Sequence, residues 1–480
     1  MSDATEFLKH GLELLKSNDL TAAESCFRSA VSRHPRLSDT HYHLGVTMMK
    51  QNRYADAEAC FRNAISIQPD HIGSLIDLSS VLIWLGSFAE AETYLRHVLR
   101  LHPDKLEAQF NLAAALMQTS KLEEAEAILR KLNESYPGLQ AIRYNLATTL
   151  LKMGSYADAW PLYEARSAGN EADWTGILGH QPANNVIPIP KWRGEALAGK
   201  SLLVVCEQGL GDTIQFVRFM GMLRARGLSK LTVACDKQLQ RLLRSADGVD
   251  AVTISETPVG FLAYDYYCLM MSVPYHLGIT LDHLPIKLPY LRPERHRIEH
   301  WKTRLKQRIL PKRFRVGLVW AGNPRVNDVT SHAIDRRRSI HLSRLLPVLQ
   351  VPGVAFVSLQ KGASARAQLA KLPIDLQPLD LMDEVEDMAD TASIIPNLDL
   401  VIAVDTAVAH LAGALGRNVW LMSRFDSCWR WLRDRNDSPW YPRVMRLFRQ
   451  RQPSDWDHVV DEVTQALTAY VADKNKRSLK

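Results

Sequence analysis

The residues best suited to chemistry follow a buried apolar run late in the chain. That run ends in Asp405 and Thr406, and His410 stands four residues after the threonine. Threonine favours the start of a helix, which places Thr406 and His410 on one helical face. The free N–H groups at such a helix start bind phosphate oxygens. The pattern predicts a pyrophosphate cradle of Asp405, Thr406 and Ala407. His410 would add a charged contact, or else lie packed in the core.

A second candidate loop follows the apolar run at 201–206 and reads Gly209-Leu-Gly-Asp212. Gly209 and Gly211 allow the backbone to approach a ligand closely, and a helix start behind them favours an anion. Asp212 can act as a general base facing a cleft. It can equally be a carboxylate that caps its own helix. The quartet alone does not choose between the two interpretations.

A third candidate loop joins Gly322 and Asn323 to three successive arginines that end at Arg338. Arginine binds phosphate oxygens with two parallel hydrogen bonds, so Arg337 and Arg338 are candidates to hold a diphosphate. A solvated basic run is the alternative for at least one of the three.

Two further loops carry side chains that suit a nucleoside or a sugar. Gln360 ends an apolar run and would face the nucleoside, unless it packs within its loop. Trp429 and Trp431 can stack on a sugar or a base, or anchor their loop to the core.

The elements that must position these loops alternate between strand and helix patterns, as in parallel sheets. The expected strands lie at 201–206, 231–235 and 251–254, and then at 314–320, 355–359, 398–404 and 419–422. Ligands of such sheets bind beyond the carboxyl ends of the strands, where all the candidate loops fall.

The first third of the chain has a different pattern, a repeat of 34 residues. It shows in prolines, alanines and leucines, for example Pro35, Pro69, Pro103 and Pro137. In the second unit, Gly45 allows close helix approach, while Ala57, Phe61 and Ala64 share one helical face. This looks like the tetratricopeptide repeat, in about five units. Such stacks form a groove that binds peptides; a spacer or an oligomerisation surface is the alternative.

The glycine motif at 209–212 and the histidine motif at 405–410 together resemble those of a known family. The order GLGD and later DTxxxH resembles the heptosyltransferase-like glycosyltransferases of the GT-B fold, family nine. With the repeats, the layout is similar to that of protein O-GlcNAc transferases and flagellin glycosyltransferases. The resemblance implies metal-independent, inverting transfer from a nucleotide-diphosphate sugar, with Asp212 as base and the loop from Asp405 to His410 as donor motif. Ala407 departs from the family's glycine, and Arg337 or Arg338 would replace its phosphate-binding lysine.

The patterns predict an α-helical tetratricopeptide-repeat superhelix followed by an α/β region of two Rossmann-like doubly wound domains, and the resemblance implies that this region has the GT-B fold. The expected boundaries are repeats at 1–168, a linker at 169–199, an acceptor-side domain at 200–297 and a nucleotide-sugar domain at 298–480.

The charge distribution and the spacing of the cysteines restrict which ligands and partners are expected. The net charge of +7 divides into −3 up to Asn170 and +10 beyond it, which predicts an anionic ligand in the second part. Outside the loop from Arg424 to Arg443, the basic residues form no stripe with aromatic interleaving, so no nucleic acid is expected. Six scattered cysteines without a CxxC pair favour neither a disulfide framework nor a zinc site. With no apparent leader or membrane span, a cytoplasmic location is expected.

The function predicted is sugar transfer from a nucleotide sugar to a protein held by the repeats, such as flagellin or another cell-surface protein. No resident cofactor or metal is expected. The alternatives are a transferase acting on lipopolysaccharide or another glycan, and a non-catalytic repeat scaffold with a decayed transferase half.

Overall fold

The computed structural model describes residues 2–167, 187–254, 261–325 and 328–478. Its contacts form two compact units. The first unit comprises Met1–Thr149 and Pro324–Arg337; the second comprises Leu150–Asn323 and Arg338–Lys480. Most of the expected linker at 169–199 lies outside the described residues, and the expected domain boundaries stay predictions.

The first third of the chain folds into ten successive helices, of which the first eight form four contacting pairs, and this confirms the repeat prediction. The helices are α1 (Ser2–Lys16), α2 (Leu20–Arg33), α3 (Ser38–Lys50), α4 (Tyr54–Ile67), α5 (Ile72–Leu85), α6 (Phe88–Leu101), α7 (Leu106–Gln118), α8 (Leu122–Ser135), α9 (Gln140–Met153) and α10 (Tyr156–Tyr163). The last two helices are divided between the units, since α10 and the end of α9 belong to the second compact unit.

Close contact between paired helices explains the recurrent glycine. A Cβ added to Gly45 would stand 2.6 Å from the Phe61 ring, and one added to Gly11 would stand 2.6 Å from Phe27. Phe61 is fully buried with Ala57, as its helical spacing predicts. The glycine therefore leaves room for an aromatic ring of the partner helix.

Ion pairs between successive repeats recur at the same 34-residue interval. Arg62 contacts Glu58 at 2.8 Å in its own helix and Glu90 of the next repeat at 2.7 Å. Arg96 contacts Glu92 at 2.9 Å and Glu124 at 2.7 Å in the equivalent way. The second helices of the repeats are thus joined by a ladder of charged pairs.

The second unit contains two sheets whose strand pairings are all parallel. The first has the order β3-β2-β1-β4 and the second the order β10-β9-β8-β5-β6-β7. The strands are β1 (Ser201–Val205), β2 (Lys230–Cys235), β3 (Ala251–Ile254), β4 (Tyr266–Leu269), β5 (Phe314–Val319), β6 (Val354–Ser358), β7 (Leu379–Asp380), β8 (Leu400–Val404), β9 (Val419–Ser423) and β10 (Met445–Arg449).

The second sheet has the strand order of dinucleotide-binding folds, in which the direction of winding reverses beside the first strand. Here that switch point lies between β5 and β8, and in the first sheet it lies between β1 and β4. The expectation of two parallel α/β sheets is confirmed. The finer assignment to the GT-B fold stays a prediction.

Helices cover these sheets and connect their strands. They are α11 (Leu210–Phe216), α12 (Met220–Arg224), α13 (Gln240–Leu243), α14 (Val273–Leu277), α15 (Arg295–Arg308), α16 (Val329–Arg338), α17 (Leu346–Leu349), α18 (Ala363–Arg366), α19 (Met388–Ile394), α20 (Ala407–Ala414) and α21 (Trp456–Ser478). The buried faces of α21 and of β5, β8 and β9 share one core. In the described part of the chain, no helix combines the length and apolar character that a membrane span needs.

One expectation about local structure was wrong. The arginine run expected in a loop lies in α16, because arginine is a good helix former. The segment Pro190–Trp192, within the expected extended connector, pairs with the edge of the first sheet. There, the Trp192 N–H donates to the Tyr267 carbonyl at 2.7 Å, and the Tyr267 N–H donates to the Pro190 carbonyl at 3.0 Å.

Candidate functional site

The GLGD motif at 209–212 and the DTxxxH motif at 405–410 are about 200 residues apart in sequence but meet in the folded chain. Gly209 precedes α11 after β1, and Thr406 precedes α20 after β8. A Cβ added to Gly211 would stand 2.9 Å from Cδ2 of His410 and 3.4 Å from Cα of Ala407. The starts of the two helices, one from each sheet, are therefore in direct contact.

Asp212, the predicted base, is held by two partners. One carboxylate oxygen accepts a hydrogen bond from the Gly209 N–H at 2.8 Å, which caps the start of α11. The other oxygen forms an ion pair with Arg430, whose side chain is buried. Arg430 also donates from Nε to Gln215 at 2.6 Å. The capping role left open by the sequence is present, and the role of Asp212 as a base stays a prediction.

Thr406 and Asp405 stand at the start of α20 as predicted. Thr406 occupies the N-cap position, but its hydroxyl donates to the Val404 carbonyl at 3.1 Å instead of capping the helix. Asp405 is partly buried, and its Oδ1 lies 4.0 Å from Nε2 of His410. The side chain of Thr406 therefore does not occupy the amide end of α20.

His410 lies in a packed environment. Its Nδ1 is 2.9 Å from the Tyr441 hydroxyl, and its ring stacks on Trp431 with centroids 5.1 Å apart. Burial lowers the pKa of His410 to about 4, although the nearby Asp405 acts in the opposite direction. The imidazole is therefore neutral at pH 7, which does not fit the charged contact expected of it.

Gln360 is engaged by its own loop. Its side-chain oxygen accepts hydrogen bonds from the N–H groups of Trp320 at 3.0 Å and Ala321 at 2.9 Å. Its side-chain nitrogen donates to the Ala321 carbonyl at 2.9 Å. These bonds close the loop after β5 and correspond to loop packing, the alternative to a nucleoside contact.

The remaining predicted donor residues are divided between the compact units. Gly322 lies in the second unit and donates its N–H to Ser339 Oγ at 3.0 Å; Asn323 is exposed at the end of that segment. Arg338 also belongs to the second unit. Arg337 belongs to the first, where it donates to the Trp84 carbonyl at 2.8 Å. Arg337 is thus assigned to the repeats instead of to the nucleotide-sugar domain.

Trp429 and Trp431 are both buried, so they anchor their loop to the core. Trp431 contacts His410 as described above. Trp429 lies in an aromatic cluster with Tyr156, Trp160, Tyr163, Phe216 and Trp440. The cluster includes the last repeat helix, which explains why α10 belongs to the second unit.

The sequence reading missed a buried ion pair beside the first motif. Arg166 donates from Nη2 to Glu207 at 2.6 Å and from Nε at 3.1 Å, and both side chains are almost inaccessible. Glu207 also accepts from the Met271 N–H at 3.0 Å, at the end of β4. The switch point of the first sheet is therefore occupied by a residue of the chain itself. The sequence signal that could have indicated this ion pair is an acidic residue, Glu207, at the end of a buried strand.

Family models match two parts of the repeat region. Models described as the tetratricopeptide repeat match residues 38–71 and 82–139. The chain therefore contains tetratricopeptide repeats, in agreement with the helix pairs and their 34-residue period.

A curated relative extends further along the chain than the repeats do. Protein FlbA of Caulobacter vibrioides is 28% identical over 339 residues, which is 67% of this chain and 54% of the relative. The chain thus spans about half the length of that relative.

Several solved structures are similar to about a third of the chain. MamA from Desulfovibrio magneticus RS-1 is 15% identical, with a TM-score of 0.33, covering 35% of this chain and 99% of its own. A tetratricopeptide repeat protein from Parabacteroides merdae is 19% identical with a TM-score of 0.33, covering 36% and 69%. YrrB, described as having an unusual peptide-binding site, is 20% identical with a TM-score of 0.31, covering 35% and 88%.

Proposed function

We propose that the protein is a cytoplasmic glycosyltransferase that moves a sugar from a nucleotide-diphosphate sugar to a protein acceptor. The donor binds to the second sheet at the switch point between β5 and β8. Asp212 removes the proton of the acceptor hydroxyl, and helix amide groups with nearby arginines stabilise the leaving diphosphate.

The contact between Gly211 and His410 is the observation that carries this proposal. It brings the helix start after β1 against the helix start after β8, at the ligand-binding ends of two parallel sheets. In this proposal Asp212 acts beside the helix start that receives the donor, as transfer between two bound substrates requires.

The repeats supply the acceptor site in this proposal. Stacked helix pairs present an extended surface suited to a peptide segment. The repeats and the transferase unit belong to one chain. Binding of an acceptor to the repeats therefore raises the effective concentration of that acceptor at the transferase site.

A non-catalytic binding protein is the second candidate. The observation in its favour is that Asp212 and His410 are both engaged internally, by Arg430 and Tyr441. In that case the second unit would bind a nucleotide sugar or a partner without turnover.

A donor and acceptor screen tests the proposal. Purified protein is first titrated with a panel of nucleotide sugars in a thermal-shift assay, because a ligand of the native state raises its stability. Donors that bind are then incubated with candidate acceptor proteins, and intact masses are measured. The proposal requires the mass of one sugar on an acceptor; binding without any mass gain would favour the second candidate.

A further inference from the structure

The loop that leads from β1 to Asp212 is anchored at its first residue. Glu207 follows β1, and none of its side chain is accessible to solvent. Its carboxylate accepts hydrogen bonds from Arg166 at 2.6 Å and 3.1 Å and from the Met271 N–H at 3.0 Å. This buried pair fixes the start of the loop, because breaking it would leave a charge uncompensated.

The next residue adopts a conformation that residues other than glycine rarely take. Gln208 has a φ of 64°, which lies in the left-handed region. A residue with a Cβ incurs a free-energy cost there that glycine does not. Such a conformation persists only where its surroundings determine it. The turn at Gln208 therefore needs support from neighbouring side chains.

The end of the last repeat helix supplies this support. The Gln208 side chain donates from Nε2 to the Tyr163 hydroxyl at 2.9 Å. Tyr163 is the last residue of α10 and is almost completely buried. The Arg166 guanidinium, which pairs with Glu207, lies over the Tyr163 ring at 5.0 Å from its centroid. Two consecutive residues of the loop are therefore held by two neighbouring side chains of one turn.

The turn at Gln208 determines the orientation of Asp212. The Gly209 N–H donates to the Asp212 carboxylate at 2.8 Å. The Gly209 carbonyl accepts from the N–H groups of Asp212 at 3.1 Å and Thr213 at 3.2 Å. The peptide group between Gln208 and Gly209 is planar, so a return of Gln208 to negative φ would turn this N–H away from the carboxylate.

We propose that Tyr163 is a positioning residue for Asp212 and that it acts through the strained turn at Gln208. The buried pair with Arg166 fixes the residue before the turn, Tyr163 holds the side chain within it, and the turn aims the following N–H at the Asp212 carboxylate. The last repeat helix thereby sets the geometry of the proposed base. The proposal rests on the proposed function only for the reaction that Asp212 performs.

Two substitutions of Gln208 separate this backbone role from a direct role of the side chain. Gln208→Ala removes the hydrogen bond to Tyr163 and keeps the cost of the left-handed conformation, so the turn should relax. Gln208→Gly also removes the bond but adopts the turn without that cost. Because Tyr163 has other contacts, including the rings of Trp160 and Trp429, these two variants isolate the turn itself.

Tyr163→Phe removes only the hydroxyl and should resemble Gln208→Ala. Adding Gln208→Gly to Tyr163→Phe should restore the turn, since a glycine does not need the support. Tyr275→Phe, at an exposed tyrosine, is the control and should behave like wild type.

Amide hydrogen exchange of the full-length protein measures the loop without any substrate. The protection factors of the amides at 209–213 should fall at least about tenfold in Tyr163→Phe and Gln208→Ala, because the unsupported turn opens more often. They should stay close to the wild-type values in Gln208→Gly and in the double variant. Equal protection in Gln208→Ala and Gln208→Gly would overturn the proposal.

Turnover then tests the connection to Asp212. The kcat should fall at least about tenfold in Tyr163→Phe and Gln208→Ala, since a small displacement of a catalytic group slows its reaction. The KM for the donor should stay unchanged, and kcat should recover in the double variant. A raised KM with equal losses in Gln208→Ala and Gln208→Gly would instead show that the glutamine side chain contacts a substrate, which contradicts the positioning role.

Failure of this inference and failure of the proposed function give different results. The expected exchange pattern, without any sugar transfer by wild type, leaves the positioned loop standing and removes the enzyme. Sugar transfer with a wild-type kcat in both Tyr163→Phe and Gln208→Ala removes the positioning role and leaves the enzyme.

Discussion

At the scale of single residues, Gly211 sets the distance between the two helix starts. A methyl group there would lie 2.9 Å from the His410 ring, too close for a normal contact. We expect Gly211→Ala to push α11 and α20 apart and to lower stability by about 1–3 kcal/mol, a typical cost of overpacking. The Tm and the donor-induced thermal shift should both fall.

Gly138→Ala is the matched control for this substitution, because an added Cβ there meets nothing within 4 Å. It should leave both measurements unchanged. An unaltered Tm in Gly211→Ala would show that the close contact between the motifs does not exist in solution.

The buried His410 predicts a specific dependence of stability on pH. An imidazole in the unfolded chain titrates near 6.5, whereas burial lowers the pKa of His410 to about 4. Between these values the unfolded state binds a proton that the folded state does not, so stability falls as pH falls from 6.5 to 4. The full effect is about 3 kcal/mol.

Thermal unfolding of wild type and His410→Gln at pH 7.5, 5.5 and 4.5 measures this contribution. The difference in Tm between the two proteins should shrink as the pH falls, because the glutamine cannot titrate. A difference independent of pH would mean that His410 is accessible and charged, as the donor-binding hypothesis first supposed.

At the scale of elements, the ion-pair ladder of the repeats should contribute little and be sensitive to salt. Arg96 joins Glu92 to Glu124 at partly exposed positions. We expect Arg96→Gln to cost about 0.5–1 kcal/mol at low ionic strength and almost nothing in 1 M salt. Tm values at 0.02 M and 1 M sodium chloride test this expectation; an effect that persists at high salt would contradict it.

The buried pair of Arg166 and Glu207 should behave in the opposite way. Arg166→Gln leaves Glu207 uncompensated in a buried position, which should cost about 3–5 kcal/mol at either salt concentration. Replacing both residues, as Arg166→Met with Glu207→Met, should recover part of that loss because the buried Glu207 carboxylate is no longer left without its partner. Equal Tm values for the single and double variants would contradict this interpretation.

The elements that could be predicted from sequence are those with strong local patterns. The repeat helices follow a 34-residue period, β8 is a continuous apolar run, and β1 and β5 are apolar apart from Ser201 and Arg315. The prediction missed β4, which is half-buried at its start, β7, which has two residues, and β10, in which the exposed Arg446 interrupts the buried residues. Such strands form through pairing with a neighbour, which leaves little periodic signal.

At the scale of the whole molecule, the meeting of the two motifs could be predicted because loops after parallel strands share one edge. The hydrogen-bond and ion-pair partners of the individual side chains could not be predicted. Arg430 reaches Asp212 from a loop more than 200 residues away, and Gln360 binds backbone atoms of the loop after β5. Contacts between distant loops depend on the completed fold, and residue type alone does not specify them.

The organisation into units also gives the last repeat a second role. Helix α10 contributes Tyr156 and Trp160 to the aromatic cluster around Trp429, while Arg166 holds the loop that leads to Asp212. The end of the repeat array thus belongs to the unit that carries the candidate site.

The central claim is that Asp212 catalyses sugar transfer to a protein, and intact mass measurement tests it most directly. Wild type, Asp212→Asn and the exposed control Asp282→Asn are incubated with the bound donor and the acceptor. We expect one sugar mass on the acceptor with wild type and Asp282→Asn, and at least about a hundredfold slower transfer with Asp212→Asn, the usual effect of losing a general base. Donor binding by Asp212→Asn should persist. Near-normal transfer by Asp212→Asn would contradict the account.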